Sequence, residues 1–360
     1  MNSNLTTARR LKLEVLERGI SIEPAALARL TGSGEHPLVE HDYVTTGGLT
    51  LVLGDDIYVN APVDYAFCGD PAANLTYGAN GYTLESDIGS TAARVLPLPG
   101  YLASNDAALH GIMTHADRIR ISPIDGCACS CRFCDWPLIP YATLDTDALM
   151  DGLSIALTDT ALPAHHVLVS GGTPRAGDRL FMDDVYMRTI RESPLPVDVM
   201  LMPRDGKGLI DRMVDAGASG FSINIEVFDR PTALALCPNK EHVGLDGYAE
   251  FIAHAVKRTG GPGTGRVRSL LLVGLEPPES TLEGVRFLAE LGCDPVLSPF
   301  RPAEGTELAS TPPASANLME QIYLEGREIA ERHGVRLGPR CIPCQHNTVA
   351  FPDGDAYYYS

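Results

Sequence analysis

Basic residues are scarce in this chain of 360 residues. It has 28 lysines and arginines against 46 aspartates and glutamates, which gives a formal net charge of −18. Proteins that bind nucleic acids or anionic membranes need clustered positive charge to displace counterions from phosphate groups. The charge balance therefore argues against nucleic acid and against membranes as partners.

Long apolar runs are also missing. No stretch approaches the twenty or so apolar residues that span a bilayer, and the N-terminal segment MNSNLTTARRLKLEV lacks the apolar core of a signal peptide. We therefore expect a cytoplasmic protein. Hydrophobic residues make up 44% of the chain and charged residues 21%, proportions that are typical of a folded soluble protein.

The nine cysteines are not spaced as in a disulfide framework. Four of them lie between Cys127 and Cys134. Such crowding favours reduced thiols that bind a metal centre.

From residue 118 onward, short aliphatic runs alternate with longer amphipathic stretches. The predicted strands are 118–122, 166–170, 197–202, 219–226, 268–275 and 294–299, and the predicted helices are 145–157, 179–192, 207–216, 245–258, 279–291 and 315–334. Asp145 and Ser280 stand at N-cap positions. The alternation indicates βα units around a parallel sheet. Six units, rather than eight, predict an α/β fold with a partial (β/α)6 barrel of the TIM type, whose ligands gather at the C-terminal ends of the strands.

The regions on either side of the barrel have other patterns. Residues 1–115 predict an N-terminal α+β cap or substrate lid, with helices near 4–18 and 23–31, β stretches at 49–60 and 73–84, and an Asn-Gly hairpin turn in YGANGY. The barrel is assigned to residues 116–312. Residues 313–360 predict a helix and a short Cys-containing β-hairpin tail, because TVAFPDGDAYYY has two extended runs about an Asp-Gly turn.

The segment SPIDGCACSCRFCDWP contains Cys127, Cys131 and Cys134 in a CxxxCxxC pattern. Three thiolates on so short a loop can bind one metal centre, and thiolates favour iron–sulfur clusters or zinc. Three ligands leave one iron of a cluster without a protein ligand. A zinc site would need a fourth ligand, which Cys129 could supply, although its alternating position points it away from its neighbours.

This segment resembles the radical S-adenosylmethionine (SAM) superfamily, in which the CxxxCxxC motif directly follows the first barrel strand. The resemblance implies a 4Fe–4S cluster on Cys127, Cys131 and Cys134, with SAM bound at the open iron through its amino and carboxylate groups. It implies reductive cleavage of SAM to a 5′-deoxyadenosyl radical, which abstracts hydrogen from a small-molecule substrate. It also implies a reducing partner such as flavodoxin or ferredoxin. Phe133 matches the aromatic residue that packs near the SAM adenine.

Two further strand ends carry the resemblance. Gly171 and Gly172 match a Gly-Gly-Glu-like turn that binds the SAM amino group, with Thr173 in place of the acidic residue; a plain tight turn is the alternative. Two-residue alternation places Ser222, Asn224 and Glu226 on one face of the fourth strand. The resemblance implies contacts of this strand with the SAM ribose and carboxylate, and a hydrogen-bonded core network is the alternative.

The last two strand ends, VGLEPPES and SPFRPAEGTEL, resemble the biotin synthase and thiazole-tyrosine-lyase branches of the superfamily. Gly274 and Glu276 are then expected beside the cofactor. Arg301 is placed to hold a substrate or SAM carboxylate, unless it forms an ordinary surface ion pair, and Arg204 is a similar candidate. Glu226 and Arg301 are the predicted catalytic residues. The resemblance covers roughly residues 117–310.

A second cysteine pair, Cys341 and Cys344, lies in RCIPCQHN. Two thiolates on one turn are half of a metal site. The sequence does not choose the remaining ligands among His346, Cys68, Cys237 and Cys293. It leaves open a second iron–sulfur cluster, a zinc ion that pins the tail, and a pair that binds no metal.

The leading functional hypothesis is radical chemistry on a small metabolite that ends in rearrangement, elimination, epimerisation or sulfur insertion. One alternative is an enzyme whose adenosyl radical adds to the substrate. The other is a binding protein in which the cysteine loop is a structural metal site without catalysis.

Overall fold

The computed structural model describes residues 5–32, 48–63, 67–104, 106–204 and 206–359. The N-terminal region contains two helices and a six-stranded sheet, in agreement with the predicted α+β extension. Its elements are α1 (Thr7–Arg18), β1 (Ile20–Ile22), α2 (Pro24–Gly32), β2 (Leu49–Leu53), β3 (Ile57–Ala61), β4 (Ala73–Gly78), β5 (Gly81–Ser86) and β6 (Gly89–Val95). Residue 4, at which the first helix was expected to begin, lies outside the described residues.

The predicted hairpin at YGANGY joins β4 to β5. Gly78 pairs with Gly81, so that Ala79 and Asn80 form a two-residue loop. The strands of this sheet lie in the order β1-β4-β5-β6-β2-β3, in which only the pairing of β1 with β4 is parallel.

The rest of the described chain contains the barrel and the elements around it. Its strands are β7 (Ile112–His115), β8 (Arg118–Ile121), β9 (Ile124–Asp125), β10 (Ala142–Thr143), β11 (His166–Val169), β12 (Val197–Met200), β13 (Gly220–Ser222), β14 (Val267–Val273) and β15 (Asp294–Pro299). Its helices are α3 (Thr146–Leu157), α4 (Arg179–Glu192), α5 (Gly208–Ala216), α6 (Arg230–Leu236), α7 (Pro238–Arg258), α8 (Pro278–Glu290) and α9 (Ala316–Arg332).

Six parallel strands form an open barrel in the order β8-β11-β12-β13-β14-β15. β7 pairs antiparallel with β8 at the other edge. The fold class predicted from the sequence, a partial (β/α)6 barrel, is confirmed. Aliphatic and aromatic side chains from successive strands, among them Ile119, Val167, Val199, Phe221 and Leu271, are fully buried in one core shared with the surrounding helices.

Helix starts were predicted with mixed success. Asp145 caps α3, because its side chain accepts a hydrogen bond of 2.9 Å from the Ala148 N–H. Ser280 is not an N-cap: α8 begins at Pro278, and proline is favoured in a first turn because its missing N–H has no partner there. The predicted helix 245–258 corresponds to the part of α7 that follows a break at Gly244. The whole of α7 begins earlier, at Pro238.

The fourth barrel strand is shorter than predicted. Regular pairing ends at Ser222 and returns as a single bridge between Glu226 and Leu271. Side chains replace the missing backbone pairs, since the Leu270 N–H donates to Asn224 Oδ1 and the Ile225 N–H donates to Ser269 Oγ.

The C-terminal tail does not form the predicted β-hairpin. In residues 348–359 the structure has no strand, and an isolated bridge joins Cys341 to Tyr357. The backbone of this region instead bonds to the edge strand β15: the Gly338 N–H donates to Pro295 O and the Val349 N–H to Leu297 O, each at 2.8 Å. These bonds cover an edge that would otherwise expose unpaired backbone groups.

The division of the chain at residues 115 and 312 stays a prediction. Within the described ranges, no helix combines the length and the apolar character that crossing a bilayer requires.

Candidate active site at the C-terminal ends of the barrel strands

The cysteine motif lies on a loop that follows β8. The short strands β9 and β10 pair antiparallel at the base of this loop, with Asp125 opposite Ala142. Gly126 begins the loop with a φ of 66°, and a Cβ there would lie 2.5 Å from the Ile139 carbonyl oxygen. The ladder and the glycine together hold the two ends of the loop close to each other.

The loop packs its cysteines into a small apolar cluster, which we call the motif cluster. Cys129, Cys131 and Phe133 are buried in it, and Cys127 and Cys134 pack against it. The other fully buried members come from elements that end at the same mouth of the barrel, namely Val227, Ala233, Cys237 and Phe300. Thiols of the motif are therefore shielded from bulk water on one side.

Burial sets the ionisation of most of these thiols. It raises the pKa of Cys134 to about 12 and that of Cys131 above its ordinary range, with the Glu226 carboxylate adding to the effect at both. Cys127 is the exception: contact with the Cys129 thiol outweighs burial and, with backbone N–H groups, lowers the pKa of Cys127 to about 6. Cys127 is thus the motif cysteine whose surroundings already favour a thiolate.

Those backbone donors come from two loops. The Cys129 N–H donates to Cys127 Sγ at 3.3 Å and the Thr173 N–H donates to it at 3.1 Å. Cys129 itself directs its sulfur toward Met202 Sδ, 3.6 Å away. The Cys129 thiol therefore contacts both Met202 and the motif cysteine Cys127.

The Gly-Gly-Thr turn after β11 lies directly against the cysteine loop. A Cβ at Gly172 would lie 1.8 Å from the Gly126 carbonyl oxygen, so no side chain fits. Gly171 has a φ of 120°, a conformation that favours glycine. The Ala128 N–H donates to Thr173 O at 2.9 Å. Together with the bond from the Thr173 N–H to Cys127 Sγ, this makes two hydrogen bonds between the turn and the cysteine loop.

A buried ion pair follows β13. Lys240 Nζ lies 3.1 Å from Glu226 Oε1 and donates to Asn224 O at 2.9 Å. Burial lowers the pKa of Lys240, but the Glu226 carboxylate raises it by more than burial lowers it. The net pKa lies well above the ordinary value. Glu226 Oε2 is buried and has no hydrogen-bond partner among the described residues.

The backbone at Glu226 is unusual for a residue with a side chain. Its φ is 69°, in the left-handed region that favours glycine. Such conformations persist where the surrounding structure holds them, and they are frequent at functional sites.

Ser222 and Asn224, predicted on the same face, contact each other. Ser222 Oγ donates to Asn224 Oδ1 at 2.9 Å, and the same oxygen accepts the Leu270 N–H at 3.2 Å. The side-chain oxygen of Asn224 is therefore used in hydrogen bonds within the sheet.

The remaining predicted residues lie around the same mouth but have protein partners. Glu276 accepts the N–H groups of Phe228 and Asp229, each at 2.7 Å, and it accepts the Thr281 hydroxyl. Arg204 forms an ion pair with Asp183 on α4. Gly274 has a φ of 103°, and a Cβ there would lie 3.0 Å from Ala314 Cβ.

Arg301 follows β15 and is buried, with 7% of its surface exposed. Its Nη2 lies 3.4 Å from Asn60 O in the N-terminal sheet. The structure therefore joins this arginine to the region that the sequence assigns to a cap.

No protein-family model matches this chain. The bacteriochlorophyllide c C-7(1)-hydroxylase of Chlorobaculum limnaeum is 23% identical over 210 residues, 52% of each protein. The chain thus spans about half the length of this curated relative.

Three solved structures have similar folds. HydG, a maturase of the FeFe-hydrogenase, has a TM-score of 0.49 and 16% identity, over 60% of this chain and 50% of that one. Methylornithine synthase PylB has a TM-score of 0.46 and 18% identity, over 66% of this chain and 75% of that one. A radical SAM methyltransferase from Sphaerobacter thermophilus has a TM-score of 0.46 and 15% identity, over 73% of this chain and 74% of that one.

The feature that decides the relationship is the position of the CxxxCxxC loop directly after the first parallel strand of a six-stranded open barrel. This chain resembles the radical SAM enzymes. The matches agree with the resemblance that the sequence predicted, and membership of the superfamily and the class of the reaction stay predictions.

Lys240 was not predicted from the sequence as a site residue. This lysine lies near the start of α7, in a region that the sequence assigned to no element, and its partners Glu226 and Asn224 are distant in sequence. Only the backbone turn at Glu226 brings the three together.

Two neighbours of the second cysteine pair, Asp117 and His166, were also not predicted from the sequence. Ligand atoms of Asp117, His166, Cys341 and Cys344 all lie within 4.8 Å of one another, and all four residues are buried. None of the four ligands considered from the sequence joins this set among the described residues. His346, for example, turns its Nδ1 to the Pro343 carbonyl oxygen.

Proposed function

We propose that this protein is a radical SAM enzyme that abstracts hydrogen from a small-molecule substrate. The observation that carries the proposal is the loop of Cys127, Cys131 and Cys134, closed by β9 and β10 and bonded to the Gly-Gly-Thr turn at the mouth of the barrel. Parallel βα barrels bind their ligands at this end.

The donor set fits an iron–sulfur cluster. The three motif cysteines share one apolar cluster, yet they do not form a set within 4.8 Å among the described residues. Ligands of a single zinc ion have to converge on one point, whereas each cysteine of a cluster binds a different iron. Cys127, Cys131 and Cys134 would hold a 4Fe–4S cluster, which when reduced supplies the electron that cleaves bound SAM to methionine and the 5′-deoxyadenosyl radical.

The chain's own residues then position SAM. Glu226 Oε2 is a buried acceptor without a protein partner, and we assign it to a donor on SAM. Lys240 holds the other carboxylate oxygen, which orients the side chain of Glu226. The backbone of Gly171, Gly172 and Thr173 lies close enough to the cysteine loop to serve the amino group of the same ligand.

The apolar members of the motif cluster have a separate task. Phe133, Val227 and Phe300 are each 7% exposed or less and lie beside the cysteines. They exclude water from the site and so limit competing reactions, a task that falls to the protein in cofactor chemistry.

Arg301 is assigned to the substrate side. It is buried at the end of β15 and contacts the N-terminal sheet through Asn60 O, so it lies where a cap and the barrel mouth meet. An arginine there can bind a carboxylate in bidentate geometry. We propose residues 1–115 as the lid over a small molecule, in a cytoplasmic enzyme reduced by a flavodoxin or ferredoxin.

The name of the curated relative supports abstraction of hydrogen as the first step. It describes a hydroxylation, and hydroxylation of carbon requires that a C–H bond be broken. The substrate of that enzyme is not carried over to this chain.

Anaerobic reconstitution with iron and sulfide, followed by reduction with dithionite in the presence of SAM, tests the proposal. We expect 5′-deoxyadenosine from the intact protein and none from Cys127→Ala, Cys131→Ala or Cys134→Ala. Cys68→Ala, which removes a buried cysteine in the N-terminal region, is the matched control and should retain cleavage.

Two other results point to the alternatives. Zinc without iron and no cleavage of SAM would establish a structural metal loop. Adenosine retained covalently in the product would establish radical addition in place of hydrogen abstraction.

A further inference from the structure

Four buried side chains meet at the end of the barrel opposite to the cysteine motif. Asp117 lies in the turn between β7 and β8, and His166 is the first residue of β11. Cys341 and Cys344 reach the same place from the C-terminal tail. Because the strands are parallel, this is the N-terminal end, about 10 Å or more from the mouth at a rise of about 3.3 Å per residue.

The spacing of the ligand atoms is that of a tetrahedron around one ion. Zinc bonds of about 2.0–2.3 Å at tetrahedral angles separate neighbouring ligand atoms by about 3.3–3.8 Å. His166 Nε2 lies 3.2 Å from Cys344 Sγ and 3.7 Å from Cys341 Sγ. It lies 3.4 Å from Asp117 Oδ1, and Cys341 Sγ lies 3.7 Å from Asp117 Oδ2.

The types of ligand also favour zinc over an iron–sulfur cluster. Two thiolates, one imidazole and one carboxylate are all ordinary zinc ligands, and four protein ligands make a closed structural site. A second cluster would need sulfurs placed apart on several irons, whereas here all four ligand atoms lie within 4.8 Å of one another.

The surroundings are built for negative ligands. Arg118 Nη1 lies 3.5 Å from Cys344 Sγ. The ring of Tyr359 stacks on His166 with centroids 4.3 Å apart, so the last part of the tail covers the imidazole. A cation bound by two thiolates and a carboxylate leaves a net negative site, which the guanidinium offsets.

We propose that Asp117, His166, Cys341 and Cys344 bind one zinc ion that fixes the C-terminal tail to the N-terminal end of the barrel. The ion joins three segments that are distant in sequence: the β7–β8 turn, the start of β11 and the 3-10 helix at Pro343–Asn347. The tail has little regular structure of its own, so a metal link replaces the hairpin that the sequence suggested. The site lies at the far end of the strands and therefore does not donate sulfur to a substrate at the mouth.

The test uses the full-length protein with Cys127, Cys131 and Cys134 all replaced by Ala, produced in medium supplemented with zinc. We expect one zinc per chain by mass spectrometry of the metals. X-ray absorption at the zinc edge should show two sulfur and two nitrogen or oxygen ligands. Because this variant lacks the motif cysteines, its result is independent of the proposed SAM chemistry.

Variants in the same background identify the ligands. Cys344→Ser and His166→Gln should each lose zinc, while Cys293→Ser, which changes a buried cysteine outside the set, should keep it. If a ligand variant does not fold, removal of zinc from the parent protein by a chelator should lower its Tm, and added zinc should restore it.

Three outcomes would overturn the proposal. They are iron with sulfide in the triple variant, a disulfide between Cys341 and Cys344 in protein purified with zinc, and two free thiols with no bound metal.

Discussion

The backbone N–H of Thr173 lies 3.1 Å from the sulfur of Cys127, and the Thr173 carbonyl accepts the N–H of Ala128 in return. Two loops that are far apart in sequence are therefore bonded to each other at the proposed cluster. The pair explains why the Gly-Gly turn and the cysteine motif have to occur together: the turn supplies a donor to a ligand sulfur and allows the close approach that this requires.

The first prediction concerns Gly172. Replacement by Ala places a Cβ 1.8 Å from the Gly126 carbonyl oxygen, and overpacking of this kind costs roughly 1–3 kcal/mol. We expect Gly172→Ala to displace the cysteine loop and to lower both the Tm and the iron content after reconstitution. Gly177→Ala is the control, because its Cβ would meet nothing within 4 Å; equal iron in both variants would contradict the assigned contact.

The second prediction concerns Glu226. If its free carboxylate oxygen accepts a hydrogen bond from SAM, Glu226→Gln should weaken SAM binding by about 1.5–3 kcal/mol, the loss typical of a charged hydrogen bond. This corresponds to roughly a 10- to 150-fold rise in Kd. Titration calorimetry of the reconstituted protein measures it.

The surface variant Glu250→Gln, at an exposed residue that pairs with Lys207, should bind SAM like the parent. Unchanged affinity in Glu226→Gln would place Glu226 in a structural network together with Lys240.

The third prediction concerns a buried lysine that holds the tail. Lys12 on α1 is fully buried and donates to the carbonyl oxygens of Gln345 and Ala350, at 2.8 and 2.7 Å. Lys12→Met would leave the Ala350 carbonyl without its donor, at a cost of about 1–3 kcal/mol for an unsatisfied buried group, whereas the Gln345 carbonyl keeps its bonds from Thr348. Chemical denaturation should show a lower free energy of unfolding than for Lys207→Met, which changes a half-exposed lysine. Equal stability of the two variants would show that the tail does not depend on Lys12.

The fourth prediction is a pH dependence. Burial raises the pKa of Asp353, but hydrogen bonds from Arg9 and Tyr323 lower it further, so that the net pKa lies below the ordinary value. A carboxyl group with a lowered folded-state pKa stabilises the protein above its unfolded pKa of about 3.9, and this contribution is lost as the pH falls through the folded-state value.

Asp353→Asn should therefore be less stable than the parent at pH 7, and the difference should shrink below about pH 4. Urea unfolding at a series of pH values measures this. Asp151→Asn, at an exposed position on α3, should show little difference at any pH. A constant difference for Asp353→Asn across the range would contradict the ionic origin of the effect.

Local patterns were sufficient for most of the barrel. The strand 294–299 and the helix 179–192 were predicted with the bounds that the structure has, because hydrophobic periodicity and β-branched runs are local properties. The spacing of Cys127, Cys131 and Cys134 was sufficient to indicate a resemblance to the radical SAM superfamily.

The sequence by itself determined the βα repeat, the cysteine loop and the presence of a second thiol pair. Only the tertiary structure decided that Lys240 neutralises Glu226, that Asn224 serves the sheet, and that Asp117 and His166 stand beside Cys341 and Cys344. These partners are as much as 227 residues apart, as for Asp117 and Cys344. Periodicity places a residue on a strand or helix, but which ends of which strands meet is fixed by the packing of the whole sheet, and local patterns do not record that arrangement.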